Sequence, residues 1–517
     1  MKKKIIIIAL LIIIPLLMGS KPYNYSYYGE VISSSPGMTF QTYINGQTLG
    51  TSIGTPHDLY VYQEEIYMVA QTNNGGKLLI INKEYQLVED IQEFEYADEF
   101  LDKLKLIKTD MADDQILMNR YISKTLDTPT GIDVKEDAIY IADSKNKRIV
   151  KLNFEYQIID IFYEQEKISE QMVYEPRKIS VDSSGRMYVA VDNAYEGIIE
   201  LDVDGSFNRF LGTNTIKHSP FEMLRRSLMT EEQRKKLDLA LSTSYTNVNV
   251  NEKGFIFATA KPTENNNEKM IQLINPKGVD VLKRNGYHVP MGDVEFLKQV
   301  DKYTSKVGPS KLVDVAYTKN GIYTVLDEQR SKLFTYDQEG NLLYINGSSS
   351  EGTNTQSDKL EKPVAIDYFG DDILVLDGDQ RATKIVVLRL TEFGKTVNDA
   401  IELHSIGKFE EASKLWEKVL ILNTNYEVAY NGIGKNELRQ KNYKIAMQNF
   451  EKGHDSYYYS KAFKSYRNQI IKKYFSVMVT GIAVLVVGSI VYKKRDKIFK
   501  KGENKWKKNS KKHMRII

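Results

Sequence analysis

Residues 129–152 read PTGIDVKEDAIYIADSKNKRIVKL. The stretch parses into three short strands, GIDV, AIYIA and RIVKL, separated by polar turns at 135–137 and 143–147. Apolar residues alternate or run together within each strand, as a buried antiparallel sheet requires. A three-stranded meander cannot cover its own two faces, so it predicts copies of itself. They occur at 56–81 (PHDLYVYQEEIYMVAQTNNGGKLLII), 176–201, 245–274, 312–336 and 363–388, each with an Asp, Asn, Gly or Ser turn between its first two strands. A fourth strand is expected after some of them, at 207–211 and 342–345. Six such units are what a closed β-propeller uses to remove its sheet edges.

Between the copies lie long inserts at 88–128, 211–244 and 283–311. All three leave an outer strand for the next inner strand, so they are expected to crown one face of the disc, where function concentrates. The second carries Thr230-Glu231-Glu232-Gln233, a capping box opening a helix through Leu237 and Leu241. The third predicts a helix over 294–303. The lead-in segment, residues 21–50, is rich in Tyr, Ser and Gly and has a strand-like piece at 38–44 able to close the ring.

The segment IYIADSKNKRI of the second unit resembles the NHL-repeat signature, and DGSFNRFLG and DQEGNLLYINGS end their units in the same manner. The resemblance covers about residues 51–390 and implies a six-bladed NHL-type propeller over 51–392. It implies no particular activity, because propellers share a scaffold and differ in their sites.

From Thr396 the apolar period becomes helical. Gly407, Phe409, Ala412, Trp416 and Val419 are followed 34 residues later by Lys441, Tyr443, Ala446, Phe450 and Gly453. That period, with Tyr430 in the first helix of the second copy, is similar to a tetratricopeptide (TPR) pair over 395–471, with a capping helix at 459–471. Phe409, Trp416, Tyr430, Tyr443 and Phe450 are its candidate protein-interaction residues. Residues 474–492 (YFSVMVTGIAVLVVGSIVY) carry no charge and are long enough for about 28 Å of bilayer. After them, 493–517 holds twelve Lys or Arg against Asp496 and Glu503.

The termini explain the net charge of +3: with Lys2, Lys3 and Lys4 set aside as well, residues 5–492 total about −10. A mildly acidic body is not that of a nucleic-acid binder, whereas basic ends beside apolar runs set membrane topology. Residues 1–20 have the build of a secretory signal, with an uncleaved anchor as the alternative. The expected location is the cell membrane: single-pass, body extracytoplasmic, C-terminus cytoplasmic, or two-pass if the N-terminal segment is retained. Cysteine is absent, which excludes disulfides, thiol catalysis and Cys-based zinc sites.

Candidate ligand residues converge where the inner strands begin. His57 and Asp58, Arg177 and Lys178, Thr246 and Asn247, and Asp314 form the expected propeller mouth, a mixed ring suited to a polar or anionic ligand, carbohydrate included. Asp58 is read as a turn residue and Asp133 as part of the strand alternation. The positions equivalent to His57 are Thr130, Arg177, Thr246, Val313 and Val364, so no second His joins it there; His218 and His288 lie on inserts. No catalytic residue or metal ligand set is assigned and no cofactor is expected, although Asp58, Asn247, Asp314 and Asp133 offer oxygens to a divalent cation such as calcium. The whole-chain order resembles bacterial envelope proteins of the NHL-repeat or gluconolactonase-like kind. That resemblance implies a membrane-anchored binding or scaffold protein with an envelope partner such as an ABC-type transporter. The alternative is a metal-dependent propeller hydrolase of the lactonase type.

Overall fold

The computed structural model describes residues 22–513 except 112, 165–167, 169–171, 193, 213–228, 231–243, 262–268, 294–308 and 349–357. Residues 1–20, His218, the helices expected at 230–241 and 294–303, and the last four residues of the tail therefore lie outside the described residues, Thr230 excepted. The described chain forms two compact units that divide within the helix Phe409–Leu422.

The first unit is a six-bladed propeller. Blade one is Thr55–Tyr62, Glu65–Thr72, Gly75–Asn82 and Leu87–Ile91. Blade two, built on the stretch quoted first, is Pro129–Val134, Ile139–Asp143, Arg148–Leu152 and Ile158–Tyr163. Blades three and five are likewise four-stranded, and blade four has three strands among the described residues. Each inner strand lies beside the inner strands of its two neighbours, and the circle closes between Pro363–Phe369 of blade six and Thr55–Tyr62 of blade one. The apolar faces turn toward adjoining blades and form the cores between them, for example Val69, Leu78 and Ile80 against Ile132, Ile139 and Val150.

Blade six has a composite origin. Its inner three strands come from Pro363–Phe369, Asp372–Asp377 and Lys384–Leu390, and its outer strand is Met38–Asn45 from the lead-in segment. Seven residue pairs join that strand to Lys384–Leu390, from Lys384 opposite Asn45 to Leu390 opposite Met38. Ahead of it, a small hairpin (Tyr23–Tyr25 with Val31–Ser33) docks on blade five, where Asn24 Nδ2 donates to Leu343 O and the Tyr25 ring stacks on His288 at 4.4 Å. Tyr25 and Tyr23 both donate their hydroxyls to buried Asp293.

The hairpin that ends strand two carries the repeat's signature carboxylate. Asp143 is fully buried, holds Arg148 at 2.8 Å and accepts the Asp127 N–H. Asp327 accepts Lys311 N–H, and Asp377 accepts Glu361 and Lys362 N–H, in the same geometry. These acids tie the incoming link to the blade.

The insert between blades one and two departs from the expectation of a crown. Its helix Leu101–Asp110 and the turn before it send Phe100, Leu104 and Ile107 into the core shared by blades one and two. The segment also pairs with the outer edge of blade two, where Glu95 O and Ala97 N bracket Ile158. The physical reason is its amphipathic stripe, which demands apolar cover.

Helix Glu392–Ser405, capped by the Thr391 hydroxyl on Gly394 N–H, packs within the propeller unit. Gly394 meets Gly37 O so closely that a Cβ would sit 1.9 Å from it. In the second unit, Glu427–Arg439 packs on Tyr443–Lys452, which packs in turn on the long helix Ser456–His513. Trp416 is buried against Gly432 and Phe450 against Gly434; a Cβ on either glycine would overlap the ring. Those glycines, as well as Ala412 and Ala446, make the room the aromatics need. The long helix contains an exposed stretch, apolar and long enough to cross a membrane.

Candidate functional site

All six inner strands share one irregularity. The register slips between Pro56 and Asp58, Pro129 and Gly131, Pro176 and Lys178, Tyr245 and Asn247, Leu312 and Asp314, and Pro363 and Ala365. A bulge of this kind re-aims side chains. The bulged residues, His57, Thr130, Arg177, Thr246, Val313 and Val364, make the outermost layer. The next layer inward is Asp58, Gly131, Lys178, Asn247, Asp314 and Ala365. Asp58 thus stands in a strand and not in the turn expected for it.

The inner layer is a charged plug. The Lys178 ammonium of blade three donates to Asp58 of blade one, and both side chains are less than a tenth exposed. Blade two lies between these blades in sequence and clears the way with Gly131: a Cβ there would stand 2.8 Å from Lys178 Cα. Asn247 Nδ2 donates to Asp314 Oδ1. Burial pushes the carboxyls of Asp58 and Asp314 up from the ordinary carboxylate range, and Lys178 opposes the rise at both.

The same side chains stitch the blades together. Asp58 accepts Ile132 N–H at 3.0 Å, Asp133 accepts Val181 N–H at 2.6 Å, and Ser180 Oγ accepts Val250 N–H at 3.0 Å. Asn249 Nδ2 donates to Val315 O at 3.2 Å, Asp314 accepts Ile366 N–H at 2.7 Å, and Asp367 accepts Val61 N–H at 2.7 Å. One side-chain-to-backbone bond therefore crosses every one of the six seams, four of them to a carboxylate, the stronger kind. Thr130 and Thr246 add hydroxyl bonds to Pro176 O and Leu312 O of the following blade.

Of the residues expected at the mouth, the structure brings Asp58, Lys178, Asn247 and Asp314 together but spends them on one another and on the seams. Thr246 is buried. His57 and Arg177 keep an outward aspect. Burial, then the charges of Lys178, Arg177 and Lys362, lowers His57 to about 4, so the ring is neutral at pH 7 inside a positive field. Arg177 pairs with Asp192 at 2.7 Å in the open, and Lys362 is exposed. The field at His57 is therefore positive.

The fifth position of the inner strands holds Tyr60, Asp133, Ser180, Asn249, Ala316 and Asp367, of which sequence reasoning singled out Asp133 alone. Its signal was a polar residue at the third or the fifth place of every inner strand. Lys135 balances this layer in part, reaching Asp133 at 2.9 Å and the Tyr60 hydroxyl at 3.3 Å. Among the described residues no cation pairs with Asp367; burial pushes its carboxyl up to about 7, against its bonds from Val61 and Tyr368 N–H and with help from Asp314 and Asp58. A carboxyl raised on folding contributes stability that is complete below the unfolded value and lost as pH rises through the folded one. Asp367→Asn keeps an acceptor for Val61 N–H and removes the charge. We expect its melting temperature to match the wild type near pH 4 and to exceed it increasingly up to pH 7, then by a constant margin, as read from paired thermal scans. A parallel offset at all pH values would refute the assignment.

As a cation site the plug is poorly supplied. Both Asp314 oxygens already accept N–H donors, Asp58 is shared between Lys178 and Ile132, and the Asn247 amide faces Asp314. Among the described residues no three His, Asp or Glu side chains gather as a metal would need.

In the helical unit, Phe409 lies under the Arg439 guanidinium at 4.3 Å and Tyr430 under Lys452 at 5.3 Å, while Trp416 and Phe450 are interior. Phe409, Tyr430 and Tyr443 are half-buried and retain some outward surface.

These features define the class: a six-bladed β-propeller followed by a C-terminal helical region ending in a helix able to span a membrane. No protein-family profile and no curated protein matches the chain. Solved structures with a similar course include virginiamycin B lyase from Staphylococcus aureus (12% identity, 68% of this chain and 100% of that one, TM-score 0.37). A protein of unknown function from Bacteroides thetaiotaomicron is similar at 8% identity, over 70% of this chain and 80% of that one, with a TM-score of 0.40. The fold assignment rests on the six sheets themselves.

Proposed function

We propose that this chain is a membrane-anchored, non-enzymatic binding and scaffold protein whose NHL-type propeller stands outside the cytoplasmic membrane. The observation that carries this reading is the use of the axial polar residues: seam bonds and the Asp58–Lys178 pair occupy them, so they brace the ring. The remaining chemistry is the rim of His57, Arg177 and Lys362, which fits an acidic surface of an envelope protein or an anionic carbohydrate. The TPR-like helices offer a second protein-binding surface through Phe409, Tyr430 and Tyr443. The helix 474–492 anchors the chain, and the basic residues after it put the C-terminus in the cytoplasm.

The hydrolase alternative requires Asp58, Asn247 and Asp314 to hold a divalent cation, which would have to displace Lys178. Stoichiometric metal in the purified protein, lost in Asn247→Ala and Asp314→Ala, would favour it. The scaffold reading is tested by crosslinking in intact cells and isolation of the tagged chain. A discrete membrane partner is expected, and its yield should fall at least severalfold when Arg177→Glu and Lys362→Glu reverse the rim charge. A chain recovered alone, or a partner indifferent to the reversal, contradicts the rim's role.

A further inference from the structure

We propose that the helix beyond the span is an amphipathic arm that lies on anionic phospholipid headgroups of the leaflet at its C-terminal end; this rests on the membrane anchorage proposed above. Basic residues after a span are sufficient to orient it, and orientation alone places no demand on which side of a helix they occupy. Here the lysines are segregated, while Arg495, the other basic residue of the stretch, lies opposite them, 5.2 Å from the Tyr492 ring. The helix continues without a break from the apolar stretch through Lys507. At about 100° per residue, the seven lysines between Lys493 and Lys507 fall within an arc of about 160°. Phe499 and Trp506, seven residues apart, lie about 20° from each other, and Trp506 faces away from the centre of that arc. They are 71% and 81% exposed. Gly502 sits between them on the same side and adds no bulk.

A helix with two large aromatics on one side and lysines on the other is built for the boundary between acyl chains and headgroups. Each lysine near an anionic surface adds attraction, and Trp prefers the interfacial depth. Phe499 lies seven residues beyond Tyr492, about 10 Å along the axis, so the helix reaches its aromatic face while still among headgroups. Bending toward the surface there buries Phe499 and Trp506 while the lysines turn to phosphate and water.

The chain carries its own reporter. It has two tryptophans: Trp416, buried in the helical unit, and Trp506. The full chain is reconstituted in vesicles of phosphatidylcholine alone or with one third phosphatidylglycerol, each containing bromine-labelled lipid. The Trp506→Phe variant supplies the Trp416 background. Quenching of Trp506 is expected to be about twofold or more stronger in the anionic vesicles, and to return to the neutral level in high salt. The same return is expected when Lys497, Lys500, Lys501 and Lys505 become Gln. Equal quenching in both vesicles, or none in either, overturns the arm. Alkaline carbonate extraction separates the two ideas: release of the chain rejects the anchor and the arm with it, whereas a retained chain with unquenched Trp506 rejects the arm alone.

Discussion

Lys178→Met is expected to lower the unfolding free energy by about 3–5 kcal/mol, the range for removing one partner from a buried ion pair. Its ammonium is the cation beside two carboxyls that burial already pushes up, Asp58 and Asp314. Without it, both rise further, so they ionise in the folded state only at higher pH. The loss should therefore be greatest at alkaline pH and shrink as the medium is acidified toward the ordinary carboxylate range, where both states are protonated. Adding Asp58→Asn to Lys178→Met removes the stranded charge but keeps an acceptor for Ile132 N–H, and should recover a good part of the loss. Urea titrations at pH 5 and pH 8 read both effects. A single variant that costs less than about 1 kcal/mol would mean that the plug is solvated, as a surface pair would be.

Deleting residues 22–45 is expected to do still more damage. The deletion removes the outer strand of blade six, with its buried Met38 and Ile44, and the docked hairpin with fully buried Tyr25. Burial of such side chains contributes about 1.5–3 kcal/mol each, so three of them approach the whole of a typical stability of about 5–15 kcal/mol. It also leaves Lys384–Leu390 as a bare edge, open to pairing between chains. We expect the truncated protein to aggregate or to be cut quickly by protease at blade six. A peptide spanning 36–46 supplied in trans should restore part of the resistance by strand addition. A truncated chain that melts within a few degrees of the intact protein would show that the strand is dispensable.

Much of this architecture is readable from residues alone. The strands of the second unit need only alternation and turn chemistry, and its copies follow by similarity, so the blade count and strand positions agree with the sheets observed. The insert at 88–128 shows how far such reading extends. Its length suggested an exposed crown, yet the spacing of Phe100, Leu104 and Ile107 already described a helix seeking apolar cover. The candidate site was legible by location and not by role. Asp58, Lys178, Asn247 and Asp314 do meet, but as bracing. Trp416 and Phe450 are interior because glycines one helix away admit them.

The sequence by itself determined six β-meanders, helices with a 34-residue period and an apolar helix with a basic end, since each depends on patterns a few residues long. Only the tertiary structure decided that Met38–Asn45 completes the blade made by Lys384–Leu390, and that Lys178 answers Asp58 across 120 residues of chain. Local periodicity tells a side chain which face it occupies. Ring closure, six bulges acting in concert and the absence of a side chain at Gly131 tell it whom it meets there.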